Sequence, residues 1–281
     1  MVVTDLAKSW RSTITWTPAV IAAACPDAQV FVRGSRARMR DIGRLTLAQY
    51  IEWLEEGRFR PAGASRGTPL LDAFDAADPV KPYVAYDATL PATALRNDIG
   101  LDALRLPGFE FRTMRFWIGP EGASTPLHYD SWGYNIFYQA YGRKRFLLFA
   151  PEEKANLYPS DVFEFNTVYS RIDTRHPDLA RFPRWSKARP LETVLAPGEV
   201  LVLPPNWWHD VETLEPSISV NAWLVHARDF WTPTYLHNVA RRFLHNAGLY
   251  AQHRCTCHLT PDRPDVGTLL GWGETAAQDR P

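Results

Sequence analysis

The stretch Thr125-Pro126-Leu127-His128-Tyr129-Asp130 decides how this chain is organised. His128 and Asp130 lie two residues apart, and because side chains alternate along a strand, both point to one face while Tyr129 points to the other. A second histidine, His209, ends a run from Gly198 whose pattern indicates a strand, a proline turn and a strand. Two imidazoles and one carboxylate on one side of a metal leave the opposite side open, and this donor set suits non-haem Fe(II) in oxygen chemistry.

The motifs around these residues resemble the JmjC or cupin-like group of 2-oxoglutarate-dependent oxygenases. Within that group they are most similar to the hydroxylases related to the factor-inhibiting-HIF asparaginyl hydroxylase. A His-x-Asp pair alone is common by chance, but here several motifs follow one another with the family's order and spacing, from about residue 110 to residue 226. They are Thr125 to Asp130, Asn135 with Gln139, Gly142 to Arg145, Pro197 to Val200, Trp207 to His209 and Val220 to Trp223.

The resemblance implies an iron site and a place for the cosubstrate. His128, Asp130 and His209 would be the Fe(II) ligands, Lys144 would receive the distal carboxylate of 2-oxoglutarate, and Thr125 would hydrogen bond to the same group. The residues support the role of Lys144, because it precedes the apolar run Phe146 to Phe149 and a lysine buried in a barrel needs an anionic partner. Alternation gives its neighbour Arg145 the exposed face.

Three further residues match cosubstrate positions of the family. Asn135 and Asn221 correspond to positions near the iron-bound end of 2-oxoglutarate, where an amide can donate to a carboxylate oxygen without changing the charge at the metal. Tyr83 is the candidate for a tyrosine of the 2-oxoglutarate pocket, although Tyr86 lies close by in the same predicted strand. One extra residue separates Asp130 from Asn135 relative to the asparaginyl hydroxylase pattern, and this departure beside the metal leaves the substrate open.

The predicted fold is mostly β with helical additions, namely a double-stranded β-helix, the jelly-roll or cupin-like barrel. Residues 1–108 are expected to form N-terminal helices and strands that pack on the barrel, and residues 109–228 the JmjC-like catalytic core. Residues 229–281 are expected to form a C-terminal helical extension and tail. In related hydroxylases such an extension makes a homodimer, and the apolar positions from Leu236 to Leu244 are consistent with either that or packing on the chain's own barrel.

Alternation and turn residues place the elements along the chain. Strands are predicted at Val30 to Val32, Pro82 to Tyr86 and Phe109 to Ile118, then on both sides of Gly142 between Tyr134 and Phe149, and at Leu191 to Ala196, Val200 to Leu203, Trp208 to Thr213 and Ser217 to Val225. Helices are predicted to begin at Thr46, where Gln49 completes a capping box, at Thr68-Pro69 and at Thr232-Pro233. The segment from Phe163 to Arg189 is predicted to be a long irregular connection, which in a compact domain is usually a lid or a substrate wall.

Composition narrows the class of protein. The 281 residues are 46% hydrophobic and 13% aromatic, which is typical of a globular domain. Lys plus Arg equals Asp plus Glu at 31 each, and this balance argues against a protein that binds nucleic acid through its overall field. Three cysteines are too few for a disulfide framework, and no signal peptide or membrane-length apolar run is apparent. The expectation is a cytoplasmic protein without membrane association.

Two clusters allow other interpretations. An arginine-rich run, with Arg33, Arg36, Arg38, Arg40 and Arg44, is typical of a solvated loop or edge strand, or alternatively of a contact for an acidic substrate or an RNA backbone. The second cluster, from His253 to His258, contains two cysteines and two histidines, but their spacing is too tight for a zinc finger.

The expected reaction couples oxidative decarboxylation of 2-oxoglutarate, with dioxygen, to hydroxylation of a C–H bond. By resemblance, the substrate is a protein or peptide side chain. A small-molecule oxygenase would share every residue named above, whereas a nucleic-acid hydroxylase would need a basic channel, which only the arginine-rich run supports. A non-enzymatic cupin-like binding protein should have lost a metal ligand or Lys144, and none is missing.

Overall fold

The structure of the protein is a computed structural model that describes residues 1–35, 41–56, 81–101, 107–252, 254–256 and 269–271. The helix predicted at Thr68-Pro69, the middle of the arginine-rich run, and His253, Cys257 and His258 of the second cluster lie outside the described residues. The described residues form the strands β1 (Val2–Val3), β2 (Gln29–Gly34), β3 (Asp41–Thr46), β4 (Pro82–Asp87), β5 (Phe109–Gly119), β6 (Ser124–Asp130), β7 (Tyr134–Tyr141), β8 (Lys144–Phe149), β9 (Thr167–Tyr169), β10 (Leu191–Leu195), β11 (Val200–Leu203), β12 (Trp208–Thr213) and β13 (Ser217–His226).

The strands form two antiparallel sheets. The larger sheet has the order β1-β11-β7-β13-β5-β4-β2-β3, and the smaller one has the order β10-β8-β12-β6-β9. Side chains from both sheets line one cavity, so the sheets form a jelly-roll sandwich, and the predicted fold class is confirmed. Strands β2, β3 and β4 continue the larger sheet beyond β5, and β3 forms its edge.

Helices cover the outer side of the larger sheet and flank the sandwich. The described α-helices are α1 (Arg11–Thr15), α2 (Pro18–Ala24), α3 (Leu47–Glu56) and α4 (Pro233–Asn246). Buried apolar side chains of α2 and α3 pack in one cluster with side chains of β5, β7 and β13. In the part of the chain that the structure describes, no helix is long and apolar enough to cross a bilayer.

Local signals that the sequence carries appear where they were predicted. The Thr46 hydroxyl accepts from the Gln49 amide at 3.2 Å and the Gln49 side chain accepts from the Thr46 amide at 3.0 Å, which is the predicted capping box of α3. Thr232 caps α4, with proline at the first turn. Gly142 turns β7 into β8 with φ of 68°, and a Cβ there would lie 2.2 Å from the Pro216 carbonyl oxygen.

The sequence prediction missed a strand beside the candidate metal ligands. The segment from Phe163 to Arg189 is not irregular throughout, because it contains β9, which pairs with β6 at the positions of His128, Tyr129 and Asp130. A strand of three residues is too short for alternation to reveal it. It becomes visible only as a pairing partner of the strand that carries the metal-ligand candidates.

Candidate active site

Strands β6 and β12 bring the three candidate metal ligands together. They are neighbours in the smaller sheet, and His209 lies directly opposite His128 in the antiparallel register. The two imidazole rings are 4.1 Å apart between centroids. One potential ligand atom from each of His128, Asp130 and His209 lies within 4.8 Å of the others. The predicted juxtaposition of these residues is therefore present in the structure.

Backbone carbonyls orient both imidazoles in the same way. His128 Nδ1 lies 2.7 Å from the Pro126 carbonyl oxygen, and His209 Nδ1 lies 3.1 Å from the Trp207 carbonyl oxygen. A carbonyl only accepts, so this geometry places the proton of each neutral ring on Nδ1 and leaves the Nε2 lone pair for a metal. Burial, followed by the neighbouring His128, lowers the pKa of His209 to about 3, so this ring is neutral at physiological pH, as a ligand must be.

Three donors from different strands hold the Asp130 carboxylate. Asn135 Nδ2 donates to Oδ2 at 2.8 Å, Trp223 Nε1 donates to the same oxygen at 3.3 Å, and the Thr167 hydroxyl donates to Oδ1 at 3.2 Å. Outer hydrogen bonds of this kind fix the direction of a ligating carboxylate. Two His and one Asp on one side of an open cavity thus form the donor set that fits Fe(II).

The two asparagines form a hydrogen-bonded chain that ends at Asp130. Trp117 Nε1 donates to Asn221 Oδ1 at 2.6 Å, and Asn221 Nδ2 donates to Asn135 Oδ1 at 3.1 Å. Asn135 then donates to Asp130, so the same amide orientation satisfies every step. Each Nδ2 carries a second hydrogen, which can serve the carboxylate of a bound oxo acid. Trp117, which the sequence did not single out, is the first donor of this hydrogen-bonded chain.

At the other end of the cavity, Lys144 is buried without a counter-ion. Its side chain is 2% exposed, and Nζ donates to the Tyr83 hydroxyl at 2.9 Å and to the Ser219 hydroxyl at 2.7 Å. Among the described residues, no carboxylate lies within ion-pair distance of it, and burial lowers the pKa of Lys144 to about 7. A buried cation without an anion is costly, so this end of the cavity fits the distal carboxylate of a dicarboxylic acid.

The contacts of Lys144 distinguish Tyr83 from Tyr86 as the candidate tyrosine of the 2-oxoglutarate pocket. Tyr83 is buried against Lys144, whereas Tyr86 is 41% exposed and faces the outer part of the cavity. Thr125 is buried and lines the same cavity as Lys144. Arg145 lies on the opposite face of β8 and pairs with Glu212 on the surface, as alternation predicts. Tyr83, Thr125 and Lys144 therefore line one cavity, and Tyr83 contacts Lys144 directly.

This cavity has a volume of about 580 Å³ and reaches from Lys144 past the metal-ligand candidates to an outer part. The outer wall includes Arg115 and Tyr86, and also Glu164, whose burial raises its pKa to about 7. Arg115 and Glu164 are not among the predicted site residues, although Thr113, Arg115 and Trp117 alternate on β5 and all line the cavity. Alternation places Arg115 on the same face of β5 as Trp117, but the sequence did not identify that face as the wall of the cavity.

Residues 1–229 match the family model described as cupin-like domain, which is most of the chain, so the chain belongs to the cupin-like family. Some of its curated relatives carry JmjC names, and another is named as a lysine-specific demethylase, so the family that the motifs resembled is confirmed.

Three relatives illustrate the similarity. HSPB1-associated protein 1 from Homo sapiens is 42% identical over 134 residues, which are 47% of this chain and 28% of that protein. Jumonji C domain-containing protein 5 from Drosophila melanogaster is 40% identical over 110 residues, 39% of this chain and 27% of that protein. Lysine-specific demethylase 8 from Xenopus tropicalis is 39% identical over 111 residues, 40% of this chain and 25% of that protein. The match thus spans about a quarter of each relative's length.

Proposed function

We propose that this protein is an Fe(II)- and 2-oxoglutarate-dependent dioxygenase. His128, Asp130 and His209 would hold the iron, and Lys144 with Thr125 and Tyr83 would hold the distal carboxylate of 2-oxoglutarate. The observation that carries the proposal is one cavity with an iron-type donor set at one place and, at the other, a buried ammonium for which the described residues supply no counter-ion. A non-enzymatic scaffold would have no reason to retain such a cation, because an unpaired buried charge costs stability.

The roles of the residues follow from these contacts. When bound, the iron and 2-oxoglutarate would supply the oxygen chemistry of the family, in which decarboxylation to succinate is coupled to hydroxylation of a C–H bond. The Nδ1 hydrogen bonds of His128 and His209 would keep both Nε2 atoms toward the metal. The amides of Asn135 and Asn221 would orient Asp130 and donate to the iron-bound end of the oxo acid.

A protein or peptide side chain is the proposed substrate. The names of the relatives support this class, since one is called HSPB1-associated protein 1 and another Lysine-specific demethylase 8. The experiment is to incubate the iron-loaded protein with a proteome digest, with and without 2-oxoglutarate, and to follow succinate and peptide masses. Gain of one oxygen indicates stable hydroxylation, whereas loss of a methyl group indicates demethylation. If no polypeptide changes the rate of succinate release, the proposed substrate class is contradicted and a small-molecule substrate is favoured.

A homodimer through α4 is proposed as the assembly. Leu236, Val239 and Phe243 recur at helical spacing on this helix, and all three side chains are exposed. A row of exposed apolar side chains on one helix face is typical of a surface that packs against a partner. Light scattering after size-exclusion chromatography would measure the assembly, and a monomer at all concentrations would contradict it.

A further inference from the structure

The outer part of the cavity is built differently from the inner part. The inner end is closed around Lys144, whereas at the outer end Tyr86 is 41% exposed, which marks the opening to solvent. Among the described residues, the cavity is lined by three guanidinium groups, of Arg33, Arg115 and Arg242, and by one carboxylate besides the metal-ligand candidate Asp130, that of Glu164. The volume of about 580 Å³ is in the range of pockets that enclose drug-sized ligands, so a second molecule fits beside a small oxo acid.

Arg115 is held in a fixed position in this wall. It lies on β5 opposite Asn221 of β13, and its guanidinium carbon is 4.6 Å from the centroid of the Tyr86 ring. Tyr86 itself has φ of 58°, a left-handed conformation that is strained for an aromatic residue, and its ring packs against Trp117 and Trp223. Such strain clusters at functional sites, where surrounding structure enforces it. The stack therefore presents the guanidinium of Arg115 in a defined orientation.

No carboxylate of the described residues pairs with Arg115. Its Nε is buried without a hydrogen-bond partner, and Nη1 donates to the Met114 carbonyl at 2.8 Å. Within the described ranges no carboxylate lies close enough to form an ion pair with it, whereas Arg112 on the same strand pairs with Glu110. Because Nε is enclosed by protein, a ligand in the cavity can reach this guanidinium only through its Nη atoms, where a hydrogen bond to a carboxylate is charge-assisted.

Glu164, the carboxylate of the outer wall, has other partners. It accepts a hydrogen bond from the Thr256 hydroxyl, and the positive charges that act on it belong to Arg33 and Arg242. The carboxylate of Glu164 therefore leaves the guanidinium of Arg115 open to an anion from outside the chain.

We propose that Arg115, stacked on Tyr86, is the binding site for a carboxylate group of the substrate. This inference rests on the proposed function and specifies its substrate class as an acid, either a peptide with an acidic side chain or a small carboxylic acid. The planar guanidinium offers two parallel N–H donors that match a carboxylate. Lys144 serves the distal carboxylate of 2-oxoglutarate and lies beside the Trp117 ring. Arg115 precedes Trp117 by two residues on the same face of β5 and lies on the side of the exposed Tyr86.

The test measures binding rather than turnover. Protein loaded with Mn(II) and 2-oxoglutarate under nitrogen is titrated with capped Gly-Xaa-Gly peptides in which Xaa is aspartate, glutamate, asparagine, glutamine or lysine. Free aspartate and glutamate form a second arm that separates a small acid from a peptide. We expect an acid to bind about 10- to 100-fold more tightly than its amide counterpart, the range of a charge-assisted hydrogen bond. Arg115→Gln should remove this preference, and Arg115→Lys should retain part of it.

The matched control is Arg112→Gln, which removes an exposed arginine of the same strand and should keep the preference. Titration of each variant with 2-oxoglutarate alone tests the proposed function separately, and Arg115→Gln should leave that affinity unchanged. Absence of any acid-over-amide preference in the unmodified protein, including absence of binding, overturns the inference. So does a preference that survives Arg115→Gln, a preference for the lysine peptide, or a loss of 2-oxoglutarate affinity in Arg115→Gln.

Discussion

Replacing Lys144 by methionine is the sharpest test of the cosubstrate site. In the structure the ammonium group donates to the hydroxyls of Tyr83 and Ser219 and has no carboxylate partner among the described residues. Methionine keeps an unbranched side chain of similar reach and removes the charge. If the ammonium receives the distal carboxylate of 2-oxoglutarate, Lys144→Met should weaken cosubstrate binding without damaging the fold.

The expected loss of 2-oxoglutarate affinity follows from the burial of the ammonium and of the carboxylate that it would bind. Removing one partner of a buried, hydrogen-bonded charge pair costs about 2–5 kcal/mol, so the Kd for 2-oxoglutarate should rise by about 30-fold or more. The free energy of unfolding without ligand should rise or stay the same. Burial already penalises the charged form of Lys144, and replacing an unpaired buried charge by an apolar side chain removes that penalty.

The assay is calorimetric titration of the Mn(II)-loaded protein under nitrogen with 2-oxoglutarate and with 2-oxobutyrate, which lacks the distal carboxylate. The unmodified protein should prefer 2-oxoglutarate, and Lys144→Met should bind both acids equally. The control is Arg145→Met, which removes the neighbouring charge on the outer face of β8 and should preserve the preference. An unchanged preference in Lys144→Met would refute the reasoning.

Further perturbations address the metal, the pH dependence and the assembly. His209→Ala should abolish Mn(II) binding measured by electron paramagnetic resonance, because two of three protein ligands cannot hold the ion, and unchanged binding would remove this residue from the site. Trp117→Phe should weaken Mn(II) binding by about 10-fold, since outer-shell changes cost about 10- to 100-fold, and equal affinity in the same assay would contradict this. Affinity for 2-oxoglutarate should fall as pH rises above about 7, because Lys144 then loses its proton before binding; the same trend for 2-oxobutyrate would speak against this cause. Phe243→Glu should yield a monomer in light scattering, whereas an unchanged assembly would exclude this helix face.

Much of the local architecture could be predicted from the sequence. Alternation placed His128 and Asp130 on one face of their strand, and it placed Lys144 and Arg145 on the two different faces of theirs. Capping residues marked the starts of α3 and α4. Each of these features depends on residues a few positions apart. Backbone geometry fixes such relations, so they can be recognised without knowledge of distant contacts.

The outer wall of the cavity could not be predicted in this way. The sequence alone did not single out Arg115, because a strand arginine is usually a surface residue. Only the packing of β4 beside β5 brings Tyr86 under its guanidinium. The same pairing buries Tyr83 against Lys144 and leaves Tyr86 at the opening, which alternation within one short strand did not distinguish.

The sequence by itself determined the family, the jelly-roll class and the identity of the residues that could serve a metal and an oxo acid. Tertiary structure decided which of them meet: the register that sets His209 opposite His128, the amide chain from Trp117 to Asp130, and the pairing of β9 beside the metal-ligand candidates. The physical reason is that side-chain direction within a strand follows from local backbone geometry. Register between strands depends instead on hydrogen bonds and packing between segments far apart in the chain.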